Sequence, residues 1–115
     1  MGSRLAGRTP GGNVVTGLQL DPVIHAPVRL QICAILSAVV EAEFSLVRDE
    51  TGVSDSVLSK HVKQLEDAGY LTVRKATLAS RQRTWLSLTK AGTRAVAAHF
   101  RALQRLAASI PELRK

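Results

Sequence analysis

The stretch that decides the fold runs from Ser45 to Lys75: SLVRDETGVSDSVLSKHVKQLEDAGYLTVRK. Its punctuation predicts a short helix, a tight turn at Gly52-Val53, a longer helix, a stop at Gly69 and then a strand. Ser54 is a good N-cap, and Asp55 favours the positive end of a helix dipole. After them Leu58, Val62, Leu65 and Gly69 recur at helical spacing, with Val57, His61 and Ala68 flanking the stripe. Gly69 sits where a left-handed residue would end the helix. The opposite face carries Ser56, Ser59, Lys60, Lys63 and Gln64, all hydrogen-bond donors and none suited to a core. A helix that is apolar behind and cationic and hydroxyl-rich in front is one that a DNA major groove admits. Gly52 fits the tight turn between two helices crossing steeply.

Working outward, Ser45 is expected to cap the short helix, over about Leu46 to Thr51, with Leu46 and Val47 as its apolar anchors. Asp49 and Glu50 would repel phosphate, so this helix should brace rather than bind. The helix before it should start at Pro27, or a turn earlier, and reach about Val40. Val28, Ile32, Ile35, Leu36 and Val39 mark its buried face, with Cys33 a small core residue beside them and Arg29 and Gln31 outward. Glu41 to Phe44 is a connection with room for one short bridging strand.

After Gly69, Leu71 to Lys75 and Arg83 to Leu88 alternate as two antiparallel strands, with Ala76 to Gln82 as a protruding loop. Leu71 and Val73 share a face with Thr84, Leu86 and Leu88, and Trp85 falls on the other. Arg74, Lys75, Arg81 and Arg83 make the densest cation cluster of the chain. Beside a helix-turn-helix, such a hairpin reads as a wing lying on the sugar-phosphate backbone, with Arg81 at its tip a candidate for the minor groove. Thr89 should cap a long last helix from Lys90 to Ser109, ended by Pro111. There Val96, Phe100, Leu103, Ala107 and Ile110 repeat in steps of four and three, the spacing of a coiled-coil seam, and Leu106 widens the stripe. Part of that stripe extends past so small a domain, and a second subunit is its natural cover.

The run GVSDSVLSKHVKQLEDAGYL resembles the helix-turn-helix of MarR- and ArsR-type bacterial regulators, and RQRTWLSLTKAGTRAV resembles their second wing strand and following helix. LSLTKAG is especially similar to MarR-type members. The resemblance covers about Asp21 to Leu106. It implies a mainly α (α+β) winged helix-turn-helix of order α-α-α-β-β-α, binding duplex DNA as a homodimer through a long C-terminal helix. Ala79-Ser80-Arg81 stands where MarR proteins commonly have an Asp-x-Arg element. MarR-type members often take small ligands between the dimer helices and the DNA-binding lobe. ArsR-type members often bind metals, but this chain lacks the paired cysteines of their thiolate sensors.

Composition limits the alternatives. One domain fits 115 residues: a flexible arm over 1–20, the folded unit over 21–110 with its first and last helices expected to dimerise, and a tail over 111–115. The arm reads first as a disordered tail; the alternative is that its Arg4 and Arg8 reach a minor groove. Up to Asp67 there are six basic and eight acidic side chains; from Ala68 onward there are ten basic and one acidic. The basic second half suits a polyanion. One cysteine excludes an internal disulfide and a thiolate metal cluster within one chain, and fits a reducing compartment. No apolar run approaches a membrane span, no signal-peptide pattern is present, and Ala6 replaces the hydroxyl residue of a myristoylation site. The expected location is therefore cytoplasmic and nucleoid-associated, with no membrane partner.

No nucleophile-base pair, phosphate loop or metal-ligand cluster is visible, and His25, His61 and His99 fall on three elements. We expect no enzyme activity, metal or cofactor; any small-molecule effector is unidentified. The expected function is sequence-specific duplex-DNA binding by a transcriptional regulator acting in the sense of repression, through helix 54–68 and wing 75–83. The residues expected at DNA are Ser54, Ser56, Ser59, Lys60, Lys63, Gln64, Arg74, Lys75, Arg81 and Arg83. Those expected at the dimer interface are Val96, Phe100, Leu103, Leu106, Ala107 and Ile110. The alternative is a winged helix used as a protein-interaction module, since fold alone does not dictate function.

Overall fold

Seven buried side chains drawn from five segments define the centre: Ile24, Ile32, Leu36, Val47, Leu58, Leu65 and Leu86. The computed structural model describes residues 13–15 and 18–113. Along the chain these form β1 (Asn13–Val15), β2 (Leu18–Leu20), α1 (Pro27–Ser37), β3 (Ala42–Glu43), α2 (Phe44–Thr51), α3 (Asp55–Asp67), β4 (Leu71–Leu78), β5 (Arg81–Leu88) and α4 (Lys90–Ala108). The helices surround a three-stranded antiparallel sheet of order β3-β5-β4.

Ala26, extended as a residue before proline must be, leads into α1, with Pro27 in its first turn. The helix ends at Ser37, short of the expected Val40, and Val39 is exposed rather than part of the buried face. The chain turns early because Ala42 and Glu43 must pair with Leu86 and Trp85 of β5. That pairing also moves the start of α2. Glu43 occupies the N-cap without a side-chain cap bond, and Ser45 lies inside the first turn instead of capping it. Gly52 ends α2 in the left-handed region at φ 74°, its N–H donating to the Arg48 carbonyl.

The α3 reading holds in detail. Ser54 caps it, its Oγ accepting from the Val57 N–H at 3.2 Å, and Leu58, Val62 and Leu65 are its buried face. Gly69 follows at φ 83°. The strand reading is corrected at the hairpin. The ladder continues through Ala76–Arg83, Thr77–Gln82 and Leu78–Arg81, so the expected loop from Ala76 to Gln82 shrinks to the two-residue turn Ala79-Ser80. Both turn residues are left-handed, at φ 53° and 65°.

Thr89 starts α4, its Oγ1 accepting from the Gly92 N–H at 2.9 Å and donating to the Gly69 carbonyl at 2.6 Å. Its N–H donates to the Tyr70 carbonyl. Gly92 is buried, and a Cβ there would stand 2.0 Å from the Tyr70 carbonyl oxygen. The glycine of LSLTKAG is thus where the last helix crosses the turn between α3 and β4 backbone to backbone.

Ahead of α1 the chain adds two features, one within the segment expected as an arm and one after it. Antiparallel β1 and β2 pair Val14 with Gln19 and Val15 with Leu18, and β2 lies against α4. Asp21 to Ala26 then forms a strap across the domain. Asp21 Oδ1 accepts from the Val23 N–H at 2.9 Å, its Oδ2 accepts from the Tyr70 hydroxyl at 2.5 Å, and its N–H donates to His99 Nδ1 at 3.0 Å. Arg4 and Arg8 lie outside the described residues.

Candidate nucleic-acid interface

The outward face of α3 is polar because its buried stripe takes the other side. With Leu58, Val62 and Leu65 turned inward, the 100° step of a helix leaves Ser56, Lys60, Lys63 and Asp67 on the crest. All four are exposed, and Lys63 bonds Asp67 at 3.1 Å, one turn along. Such an exposed i,i+4 pair is weak and is easily exchanged for a phosphate. Ser59 points toward the sheet. It joins Asp55, Lys63, Glu66, Lys75 and Thr84 along a groove of about 360 Å³ between α3 and the hairpin, floored by Phe44, Val62, Val73 and Leu86. Lys75 and Thr84 face each other across the ladder, on the same side as Val73 and Leu86, which is why they reach this groove.

Two expected contacts have other partners. Gln64 turns toward α1, where its Oε1 accepts from Arg29 Nη1 at 2.6 Å. Arg29, expected to face solvent, is a buckle between strap and helix. Its Nε donates to the Val23 carbonyl, and Nη1 lies 3.1 Å from His61 Nδ1. Ser54 uses its Oγ for the cap, and Ser56 Oγ lies 3.3 Å from it.

The four hairpin cations divide by face. Lys75 lines the groove, whereas Arg74, Arg81 and Arg83 share the other side of the ladder with Trp85. Arg74 Nη2 donates to both oxygens of Glu41, at 3.0 and 2.9 Å, and its guanidinium lies 5.6 Å from the Trp85 ring centre. Arg83 Nη1 pairs with Glu43 at 3.2 Å. Arg81 is exposed at the turn, with no ion pair among the described residues. Glu41 and Glu43, more than thirty positions away in sequence, are the residues that sequence reading missed.

The seam expected on α4 also splits. Val96 is buried in the chain's own core, in line with Gly92, His99 and Ala102. Phe100, Leu103 and Ala107 are half-buried, and Leu106 and Ile110 are exposed.

His99 is 1 % exposed. Its Nδ1 accepts from Asp21, so Nε2 carries the proton and donates to His25 Nδ1, 3.2 Å away. Burial, and next the neighbouring His25, lower its pKa. The Cys33 thiol is pushed up to about 12, chiefly by burial, which fits an unreactive core residue. The Tyr70 hydroxyl also rises to about 12, first because it donates to Asp21. Among the described residues no group of three or more His, Cys, Asp or Glu side chains is placed to hold a metal.

A helix-turn-helix followed by a hairpin, with a polar crest and a groove of mixed charge between them, is the geometry of one family. The family model described as winged helix DNA-binding domain matches residues 28–107. The chain belongs to that family. The winged helix is similar to a transcriptional regulator homologue from Pyrococcus horikoshii OT3, with 26 % identity and a TM-score of 0.68, covering 73 % of this chain and 83 % of that one. It also shares its fold with a MarR family transcriptional regulator from Silicibacter pomeroyi, at 24 % identity and a TM-score of 0.62, covering 76 % of this chain and 57 % of the other. Among sequences, MJ0432 of Methanocaldococcus jannaschii is 27 % identical over 70 residues, 61 % of this chain and 76 % of its own. The family is one of DNA-binding domains, not of enzymes. No helix among the described residues is long and apolar enough to cross a membrane.

Proposed function

We propose that this winged helix is a transcriptional regulator that binds duplex DNA sequence-specifically as a homodimer, acting as a repressor by occupying its operator. The crest of α3 enters the major groove, and the hairpin lies on the backbone beside it. The observation that carries this reading is that the exposed crest of Ser56, Lys60 and Lys63 adjoins a groove in which Lys63, Ser59, Lys75 and Thr84 stand together with Asp55 and Glu66. Lysines there supply the salt-dependent part of affinity, and the hydroxyls supply directional bonds. The P. horikoshii neighbour, a transcriptional regulator homologue, supports the same role.

A homodimer is supported by α4. Leu106 and Ile110 are each 39 % exposed and Leu113 58 %, an apolar strip continuing past the domain's own core. With Leu103 and Ala107 beside it, the strip can be covered by its copy about a two-fold axis, setting two α3 helices roughly 34 Å apart. Val96 has no part in that interface, being already buried. A cytoplasmic, nucleoid-associated location follows from this role.

The test is Lys60→Ala measured on the operator recovered by genomic capture and footprinting. Specific binding should weaken by about 1–3 kcal/mol if Lys60 reads a base. Unchanged affinity removes α3 from the groove. Binding that does not respond to salt indicates a protein-interaction module instead. A monomeric chain in sedimentation at micromolar concentration refutes the dimer.

A further inference from the structure

The outer face of the hairpin is built as a cationic rail and then partly neutralised. Along the ladder, Arg81 stands opposite Leu78, Arg83 opposite Ala76, and Arg74 opposite Trp85. These are three successive outward positions, each two residues further along, so the guanidinium-bearing sites follow one another at roughly 7 Å. A row of that kind suits a phosphate backbone, which it would bind without regard to sequence. Two of the three sites are occupied internally. Glu41 takes Arg74 through both oxygens, and Glu43 takes Arg83. Both acids come from the short segment that adds β3 to the sheet edge, Glu43 directly opposite Trp85. Neither pair is deeply buried: side-chain exposure is 52 % for Arg74 and 36 % for Glu41, and 32 % and 27 % for Arg83 and Glu43. The acids are therefore close enough to compete with phosphate, and the pairs exposed enough for the competition to be decided by local charge.

We propose that Glu41 and Glu43 act as specificity-determining residues, holding Arg74 and Arg83 away from DNA phosphates so that sequence-independent affinity stays low. This rests on the DNA-binding reading above. Duplex contact then depends on the α3 crest, the groove residues Lys75 and Thr84, and Arg81 at the tip. Removing the acids frees the rail. The protein would then gain affinity for any duplex, and its preference for an operator would fall.

The experiment uses a mixed-sequence 30-base-pair duplex, titrated between 50 and 200 mM salt with the full chain and with Glu41→Gln, Glu43→Gln and the double variant. Each freed arginine should add about 0.9 to the salt slope, and thus about threefold to the affinity lost across that range. The double variant should lose roughly tenfold more than the wild type and bind more tightly at 50 mM. A cycle with Arg74→Ala locates the cause: Glu41→Gln should have no effect once Arg74 is gone. Weaker binding by the glutamine variants would mean that the acids orient the arginines toward DNA, and would overturn the proposal. So would a gain that persists without Arg74, which would mark simple repulsion by Glu41. A wild type that ignores the duplex at every salt concentration instead defeats the DNA-binding reading, and this inference with it.

Discussion

The foot of the hairpin and its tip are eight residues apart on the same two strands, yet they are held by different physics. At the foot, Leu71 faces Leu88 over the core, Thr89 ties α4 to Gly69 and Tyr70, and Gly92 admits the Tyr70 backbone at a distance no Cβ could tolerate. At the tip, Leu78 and Arg81 are exposed, and two residues with side chains occupy left-handed turn positions. The foot fixes where α3, the sheet and α4 meet. The tip positions Arg81 and little else. The difference separates the residues that determine the fold from those left free to meet a ligand: the first are buried against backbone, the second stand at the end of a ladder that needs only its own hydrogen bonds.

The strongest way to break the comparison is at the foot. Gly92→Ala places a methyl group against a carbonyl oxygen that is itself bonded to Thr89. Neither backbone can yield without moving a whole helix, so the cost should be about 3 kcal/mol. In a domain of this size that lowers Tm by roughly 12–20 °C, as read by circular dichroism. A loss below 5 °C would show that α4 can shift away, and the foot would not be rigid.

A second probe acts beside the foot through acid. His99 is neutral, with Asp21 N–H bonded to its Nδ1 and His25 facing its Nε2. Burial and His25 lower its pKa, whereas the Asp21 carboxylate acts in the opposite sense. A histidine with a depressed folded pKa binds its proton more readily when unfolded. Its contribution is therefore complete above its ordinary value of 6.5 and is lost as pH falls from there through the folded pKa. Denaturant midpoints should decline across that window. His99→Gln, which keeps a neutral acceptor, should flatten the decline; an unchanged pH profile would exclude His99 as its source.

The same contrast explains what could be read from sequence. Signals confined to neighbouring residues were legible: the Ser54 cap, the Leu58-Val62-Leu65 stripe, Gly69, the Thr89 cap and the alternation that set Leu71, Val73, Leu86 and Leu88 on one face. Features decided at long range were not. Ser45 carries the local signature of a cap, but the pairing of Ala42 and Glu43 with β5 starts α2 earlier. Val96 fits a coiled-coil seam and is claimed by the core instead. Within the candidate site, Lys60, Lys63 and Lys75 could be found from composition and period. The pairing of Gln64 with Arg29 and of Arg74 with Glu41 spans more than thirty positions, and no periodicity carries it.

The tip offers the smallest and cleanest test, because there the sequence gives no sign of the turn the chain makes. A two-residue hairpin with both central residues left-handed is a type I′ turn, which favours Asn-Gly. Ala79 and Ser80 occupy it against their own preference, each at a cost of order 1 kcal/mol. This is why residues 76–82 read as a loop: Ala-Ser carries no hairpin signature, and the polar strand ends around it look unstructured. Ala79→Asn with Ser80→Gly relieves the strain, partly offset by the greater freedom of glycine in the unfolded chain. The net gain should be about 1 kcal/mol, a rise of roughly 4–6 °C in Tm. Because the ladder on either side is unchanged, Arg81 keeps its place, and the salt dependence of duplex binding should stay the same. A stabilised tip with a shallower salt slope would mean that Arg81 reaches DNA only through the strained turn, and the tip would then be as finely fixed as the foot.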